Sequence, residues 1–578
     1  MSNFLSEFPP VTTETWEHAI HEDLKGADYA EKLIWRSPEG IDVKPYYRAE
    51  DIAGLKFLDA SPGDFPYVRG AHSTGGWRIR EDIDAVNPEE ANSAARSSVA
   101  SGAEEIAFSR AAISNASDPG ILLTNLGEIP VHLENVSAET VHLLLSRLNR
   151  RPSIATVSAD LDWSVDPELS ADVLARAPAC FVPFTVHAGK YADNGATAIE
   201  EVGFALASGV DFISTMQDCG IAVDRVADSV VFSFAMGPEY FMQIAKLRAF
   251  RVAWAQAVES FGGARDHARA RIHARPARWN KTVYDPYVNM LRTTTEAMSA
   301  VLGGADSIYI APFDECYRTH DDISRRLARN TQIILKQEAF LARVADPGGG
   351  SYYLETLTDS IARKAWKQLQ EIEAAGGFRK ATAMIAETLA ARKAALDKSV
   401  ASRRRVLTGT NRFANPAERA HDRMDSVPAA DSFRAALPFE QLRLRTERSE
   451  IETAKTPRVL LAEIGDARMR SARSTFVADF FACAGLVTVI ERFATPQQIA
   501  SAPADLIVLC SSDAEYLALA TALLTELKAR GVETPVLVAG NPETSGQLRA
   551  AGVTDFIHLR NNPIDLLTSL QQLLGITK

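Results

Sequence analysis

The chain has 578 residues, 46% apolar and 24% charged; at about 150 residues per domain this makes two to four domains, with apolar content for large buried cores. That composition excludes wholesale disorder. Lys and Arg number 62 against 74 Asp and Glu, a formal charge of −12, and an acidic chain repels phosphate backbones, which argues against nucleic-acid binding as its main role.

In chain order, residues 1–60 read as an arm. The opening MSNFLSEFPP has one acid, no Lys or Arg and no apolar run, so no secretory signal is expected. Trp16, Ile20 and Leu24 recur at i, i+4 and i+8, which predicts one short amphipathic helix. The turn-rich stretch that follows, through Trp35 to Tyr47, is too poor in apolar residues to fold alone. The arm is therefore expected to lie across another surface, on this chain or on a partner.

Residues 61–400 repeat short apolar runs and longer helical patterns. Predicted strands are Glu104–Ser109, Ile129–Leu133, Ser153–Ser158, Cys180–Val186, Asp211–Thr215, Val230–Gly237 and Ser307–Pro312, with helical patterns such as Glu239 to Phe261 between several of them. Alternation of this kind over about 300 residues favours a parallel sheet closed into a (β/α)₈ TIM-type barrel.

Residues 401–455 read as a linker. They hold Arg403-Arg404-Arg405, Pro416, Pro428 and Pro438, many charges and little periodicity. The stretch is long for a plain loop, so it is expected to lie over the other domains.

Residues 456–578 read as five βα units, with strands Arg458–Ile464, Leu486–Ile490, Asp505–Cys510, Pro535–Gly540 and Asp555–Leu559. Continuous apolar strands between helices mark a doubly wound α/β sheet of flavodoxin type. The longest candidate membrane run, Phe480 to Ile490, falls well short of the roughly 20 residues of a spanning helix. The five cysteines, Cys180, Cys219, Cys316, Cys483 and Cys510, are odd in number, widely spaced and without a C-x-x-C. Reduced thiols in a cytoplasmic protein are the simplest reading.

Several blocks carry a family resemblance. They are Trp35-Arg-Ser-Pro-Glu-Gly-Ile41, Asn194-Gly-Ala-Thr197, Asp285-Pro-Tyr-Val-Asn289, Ala328-Arg-Asn-Thr-Gln332, Arg343-Val-Ala-Asp-Pro347 and Gly349-Gly-Ser-Tyr-Tyr353. In these blocks the chain resembles the methylmalonyl-CoA mutase family, strongly in its middle and more weakly in the arm and the C-terminal region. The resemblance implies a substrate barrel followed by a cobalamin-binding domain, and adenosylcobalamin-dependent radical rearrangement of an acyl-CoA.

Each functional position implied by that resemblance is altered here. Catalytic members carry Asp-x-His-x-x-Gly after the first strand of the C-terminal domain, the His coordinating cobalt and the Asp orienting it. This chain reads Gly465-Asp466-Ala467-Arg468-Met469-Arg470-Ser471, and no histidine lies between His421 and His558. With Asp466 as the motif Asp, Arg468 takes the place of His and Ser471 that of Gly; one register on, Met469 takes it. Arg has no lone pair for a metal, and a packed Met469 is the simpler reading. The family's Ser-x-Leu becomes Ser511-Ser512-Asp513 and its Gly-Gly becomes Ala539-Gly540. Asp513 and the Ala539 methyl are expected to intrude where the nucleotide tail threads.

In the barrel, the resemblance implies a Tyr-His pair ahead of Gly195-Ala-Thr197 that binds the thioester carbonyl. Gly189 and Lys190 stand there, with His187 three residues further back. Lys190 reads either as a surface lysine or as a ligand contact. After Phe65-Pro-Tyr-Val-Arg-Gly70, the tyrosine-bearing stretch of catalytic members is replaced by Ala71-His-Ser-Thr-Gly-Gly76, in which His72 reads as a loop residue. The strands carry Phe181, Phe184, Phe212, Phe232 and Phe234; two of these pointing inward are expected to block the channel that admits pantetheine.

Other signals have plain readings beside functional ones. The run Arg269-Ala-Arg271-Ile-His273-Ala-Arg275-Pro-Ala-Arg278 reads as a phosphate site or as a polar strand end. Arg403–Arg405 reads as a solvated or partner-facing linker, and His18-x-x-His21 as the charged outer face of a helix rather than a metal site. Gly348–Ser351 lacks the phosphate-loop pattern and reads as a turn.

Family architecture without its catalytic residues is identified with the small, non-catalytic (β) subunit of a heterodimeric mutase. The resemblance then implies a large subunit that binds adenosylcobalamin and acyl-CoA and interconverts (R)-methylmalonyl-CoA and succinyl-CoA, with this chain packing against it. No residue of this chain is assigned a catalytic, cofactor-binding or metal-binding role. Two rivals are a divergent stand-alone acyl-CoA mutase and a module that senses acyl-CoA or cobalamin, the latter resting on Lys190 and the Arg269–Arg278 run.

Overall fold

The structure, a computed structural model, describes residues 11–109, 113–150, 155–424 and 433–576. MSNFLSEFPP, Ser153, Ile154 and Pro428 lie outside the described residues. The amphipathic helix expected in the arm spans Thr13–Asp23, capped by the Thr12 side chain, and none of its residues is buried. A small hairpin follows, β1 (Trp35–Arg36) paired antiparallel with β2 (Asp42–Val43). Its Ile41 and Val43 are buried in the main core.

Eight parallel strands then close into a barrel: β3 (Arg78–Ile83), β4 (Glu105–Phe108), β5 (Val131–Leu133), β6 (Val157–Leu161), β7 (Phe181–His187), β8 (Val230–Met236), β9 (Arg271–Pro276) and β10 (Ser307–Tyr309). β10 pairs back onto β3, with Ile308 opposite Ile79. Of these strands, β3 was not expected and β9 was anticipated only as one reading of the Arg269–Arg278 run, because charged residues occupy every second position in RIREDI and RIHARP. The converse error is Asp211–Thr215, which belongs to the helix Ala198–Asp218. That helix is buried nearly all round, and a short apolar run inside such a helix has the same look as a buried strand.

The phenylalanines do not plug the barrel. Phe184 packs on Phe212 (4.7 Å) and Trp163 (6.3 Å), and Phe232 packs on Phe250 (4.6 Å) and Trp254 (4.8 Å). Phe234 also packs on Phe250, at 4.8 Å. Phe250 and Trp254 belong to the outer helix Tyr240–Ser260, so these rings fill the space between strands and helices. Alternation leaves only Phe181 on the face of Thr185 and His187, at the start of β7. Gly209 marks how tight the outer layer is, since a Cβ there would sit 2.6 Å from the Trp254 ring and 3.2 Å from Phe232.

The stretch 401–455 is not the irregular linker that its composition suggests. It contains the helix Leu437–Thr453, which buries Phe439, Leu442 and Leu444. Glu447 on that helix accepts from the Tyr284 hydroxyl (2.7 Å) on the barrel side, and the Leu442 carbonyl accepts from Gln571 (2.7 Å) on the C-terminal side. The helix escaped notice because both its faces are used, one against each neighbour, which erases a simple apolar stripe. Arg403 and Arg405 likewise bind this chain, pairing with Asp479 and Glu239.

The last region is a parallel sheet of β11 (Val459–Glu463), β12 (Thr488–Arg492), β13 (Leu506–Cys510), β14 (Val536–Val538) and β15 (Asp555–Phe556), in the order β12-β11-β13-β14-β15. This is the flavodoxin-type order, in which the chain reverses direction across the sheet between β11 and β13. No helix among the described residues is long and apolar enough to cross a membrane.

Candidate functional site

Parallel sheets bind ligands beyond the C-terminal ends of their strands, and the chain has two such places. The first is the edge of the five-stranded sheet. After β11 the chain turns at Gly465 (φ +75°), and Asp466 caps the helix Ala467–Ala482 by accepting from the Met469 N–H (2.8 Å). Arg468 and Ser471 are exposed, and Met469 is half-buried. The space above the turn is taken by Glu515. Its carboxylate accepts from the Ser511 hydroxyl (2.7 Å), the Ser512 hydroxyl (2.5 Å) and the Asp466 N–H (3.1 Å).

These donors, the Ser512 hydroxyl foremost, hold the Glu515 carboxyl down at about 2. A Cβ on Gly465 would lie 2.6 Å from both the Glu515 carboxylate and the Ser511 hydroxyl, so these side chains lie directly against the turn. Beyond β14, Arg473 and Asp513 form an ion pair (3.0 Å) over Gly540, whose added Cβ would meet Arg473 at 2.9 Å. Asp513 stands at this edge paired with Arg473, a partner the sequence did not suggest. A corrin with its nucleotide tail does not fit this edge: polar side chains bonded to one another occupy it, and the turn after β11 carries Arg468 and Met469 where the motif histidine would stand.

The second place is the open end of the barrel, where the inward residues surround a cavity of about 370 Å³. Lys190 and His187 both reach it, the lysine from the short helix Gly189–Asp193 that follows β7. Gly189 is required there, since a Cβ would lie 3.0 Å from the Arg275 guanidinium and from the Ala235 N–H. Behind it, the buried Lys246 ammonium donates to Glu201 (2.6 Å) and to the Ala235 carbonyl (2.5 Å), while Glu201 accepts from the Ala235 N–H (2.8 Å). That closed network fixes the end of β8.

Inside the cavity Arg80 is paired with Asp82 (2.7 Å) and Glu134 (2.6 Å), and His187 with Asp160 (3.4 Å). Burial opposes the charge on Arg80, but its carboxylates outweigh it and raise the guanidinium above its ordinary range. His132 and His273 are pushed well below the ordinary imidazole range, first by burial and then by Arg80. His132 was not singled out from the sequence, and His273 appeared there only within the Arg269–Arg278 run. The period-2 alternation of β5 and β9 was the available signal, and the polar character of the inward positions concealed it.

The remaining sequence candidates scatter. The Arg269–Arg278 run is no single patch: Arg269 stacks near Tyr67, Arg275 pairs with Asp193 (2.5 Å), and Arg278 pairs with Glu315 (3.6 Å). His72 is an exposed loop residue beside Asp306 (3.2 Å). His18 sits on the outer face of its helix near Glu22 (3.6 Å). Gly348–Ser351 forms a turn in which Ser351 caps the helix Tyr352–Ala374. Among the described residues no group of three His, Cys, Asp or Glu side chains is placed to hold a metal ion.

The family model for methylmalonyl-CoA mutase matches residues 36–135 and 174–480. A methylmalonyl-CoA mutase small subunit from Porphyromonas gingivalis is 37% identical over 99% of this chain and 98% of its own length. The chain belongs to the methylmalonyl-CoA mutase family. A small subunit from Streptomyces virginiae is 31% identical over 99% of this chain and 98% of its own length, whereas the large subunit of the same organism is 28% identical over 78% of this chain and 69% of its own. Mutase-family enzymes are isomerases and depend on cobalamin, and relatives of this chain come as separately named small and large subunits.

Proposed function

We propose that this chain is the non-catalytic small subunit of an adenosylcobalamin-dependent methylmalonyl-CoA mutase in the cytoplasm. It stabilises a large subunit that interconverts (R)-methylmalonyl-CoA and succinyl-CoA. The reading rests on the edge of the five-stranded sheet, where Glu515, Ser511, Ser512 and the Arg473–Asp513 pair bond to one another and the turn after β11 carries no histidine. In this reading no residue of the chain is catalytic, binds cobalamin or ligates a metal. Adenosylcobalamin and the acyl-CoA belong to the large subunit.

Two surfaces support a subunit role. The arm divides: residues around β1 and β2 lie on this chain, Lys364 donating to the Gly40 carbonyl (3.1 Å), while no residue of the helix Thr13–Asp23 is buried and Trp16, beside Tyr46 (5.4 Å), stays 47% exposed. The helix Asp322–Gln337 leaves Ile323, Leu327 and Ile334 exposed, and apolar residues clustered on a surface mark a protein interface. In this reading residues 1–60 are the partner-wrapping arm, and 61–400 and 456–578 are the two folded domains that the partner contacts.

The test is to mix the purified chain with adenosylcobalamin, desalt, and record the visible spectrum. No corrin bands are expected on the chain alone. They are expected on the complex co-purified with a larger homologue that carries Asp-x-His-x-x-Gly. Corrin retained by this chain without a partner overturns the reading.

A further inference from the structure

The barrel cavity is unexpectedly well made for a chain with no chemistry of its own. His132 and His273 lie on β5 and β9, which stand opposite each other in the eight-stranded ring, and both are buried, at 3% and 6% exposure. His273 Nδ1 meets the Ser307 hydroxyl (2.9 Å), and that hydroxyl gives its only proton to Glu105 (2.8 Å), itself paired with Arg78 (2.7 Å). Ser307 can then only accept from the ring, so Nδ1 carries the proton and Nε2 is a bare acceptor.

His132 repeats the arrangement: its Nδ1 meets Ser158 (2.9 Å), whose hydroxyl turns to the Val131 carbonyl (3.5 Å). Both rings are kept neutral by burial and by Arg80. Neither Nε2 has a partner among the described residues, and both rings line the cavity.

At the mouth the charge balance is different. Within the cavity Asp82 and Glu134 share the Arg80 guanidinium, and Asp160 faces His187. Lys190 has no ion pair among the described residues and rests over the Tyr191 ring (5.1 Å). Arg278 is exposed and only loosely held by Glu315 (3.6 Å). The rim therefore offers one ammonium without an ion pair, Lys190, with Arg278 beside it, and the interior offers two unspent acceptors. Hydroxyls satisfy such acceptors, and an oxyanion satisfies such cations.

We propose that the open end of the barrel binds a hydroxylated oxyanion of sugar-acid or sugar-phosphate size. Its acidic group sits on Lys190 and Arg278, and its hydroxyls donate to Nε2 of His132 and His273. A cavity of about 370 Å³ lies at the small end of the range for such sites. The proposal is independent of the subunit reading, because it concerns a ligand that the family's reaction does not use.

Titration calorimetry on the full-length chain tests it with four probes: gluconate and glucose 6-phosphate, and their hydroxyl-free counterparts hexanoate and n-hexyl phosphate. At least one hydroxylated probe is expected to bind about tenfold or more tightly than its counterpart, the yield of one to two buried hydrogen bonds. Binding by gluconate identifies a carboxylate ligand, and binding by glucose 6-phosphate a phosphate. Lys190→Ala, a change at an exposed side chain, is expected to weaken that binding several-fold. His273→Asn keeps a donor for Ser307 but removes the Nε2 acceptor, and is expected to erase the advantage of the hydroxyls. No binding by any probe, equal binding within each pair, or binding unchanged in Lys190→Ala overturns the proposal.

Discussion

The two strand-end clefts of this chain have the same origin and opposite fates. Each lies beyond the C-terminal ends of parallel strands, where helix-capping loops leave a crevice. In the five-stranded sheet the crevice is closed by groups that satisfy one another: Glu515 by two serines and a backbone amide, Arg473 by Asp513. In the barrel the crevice stays open, with neutral imidazoles whose Nε2 atoms have no partner among the described residues, and an unpaired lysine at the rim. Local side-chain pairing, which one loop can supply, is enough to occupy a crevice at a sheet edge. Filling a barrel lumen needs eight strands to change together, because its inward positions come from all of them.

The largest expected effect tests which side of the barrel wall the aromatic rings serve. Phe232→Ala is expected to cost about 3–5 kcal/mol, because it opens a void between β8 and the helix bearing Phe250 and Trp254. Urea unfolding measures it. A loss below about 1 kcal/mol would place the ring in the lumen instead of the packed wall.

A smaller effect probes the closed edge. Glu515→Gln is expected to cost about 1 kcal/mol at neutral pH, the partial exposure of the carboxylate limiting the loss. Glu515 titrates at about 2 in the folded chain, against an ordinary 4.5. A depressed carboxyl stabilises the fold fully above its unfolded value, and that contribution fades as pH falls from 4.5 toward 2. The gap between the parent and Glu515→Gln should therefore be constant from pH 7 to about 5 and shrink below it; a gap that widens in acid contradicts the hydrogen-bonded carboxylate.

The smallest effect concerns the other half of that edge. Arg473→Ala removes a pair in which Asp513 is more than half exposed, and the expected loss is about 0.5 kcal/mol, falling further in high salt. Unfolding midpoints in low and high salt measure it. A salt-independent loss would point to packing of the arginine stem rather than to charge.

Much of the fold was legible before any coordinates. The strands of the last domain are continuous apolar runs, LLAEI-like and LIVLC-like, and all five appear near their expected positions. The barrel was legible from six of its strands and hidden at the other two, where Arg80, Asp82, His273 and Arg275 point inward. The helix Leu437–Thr453 was hidden because it is buried from both sides. At the candidate sites, the absence of an imidazole near Asp466 was plain from the residue order, but the role of Glu515 was not, since nothing local links it to Gly465 fifty residues earlier.

The order of residues alone therefore determined the fold class, the family and the lack of a histidine in the turn after β11, because each depends on which residue stands at which position along a strand or loop. The tertiary structure alone decided that Phe184, Phe232 and Phe234 face the helices, that Glu515 and Arg473 line one cleft, and that His132 and His273 stand on opposite strands of the other. Those facts depend on barrel closure and on strand-to-strand register, which bring together side chains tens to hundreds of positions apart, and no local pattern encodes them.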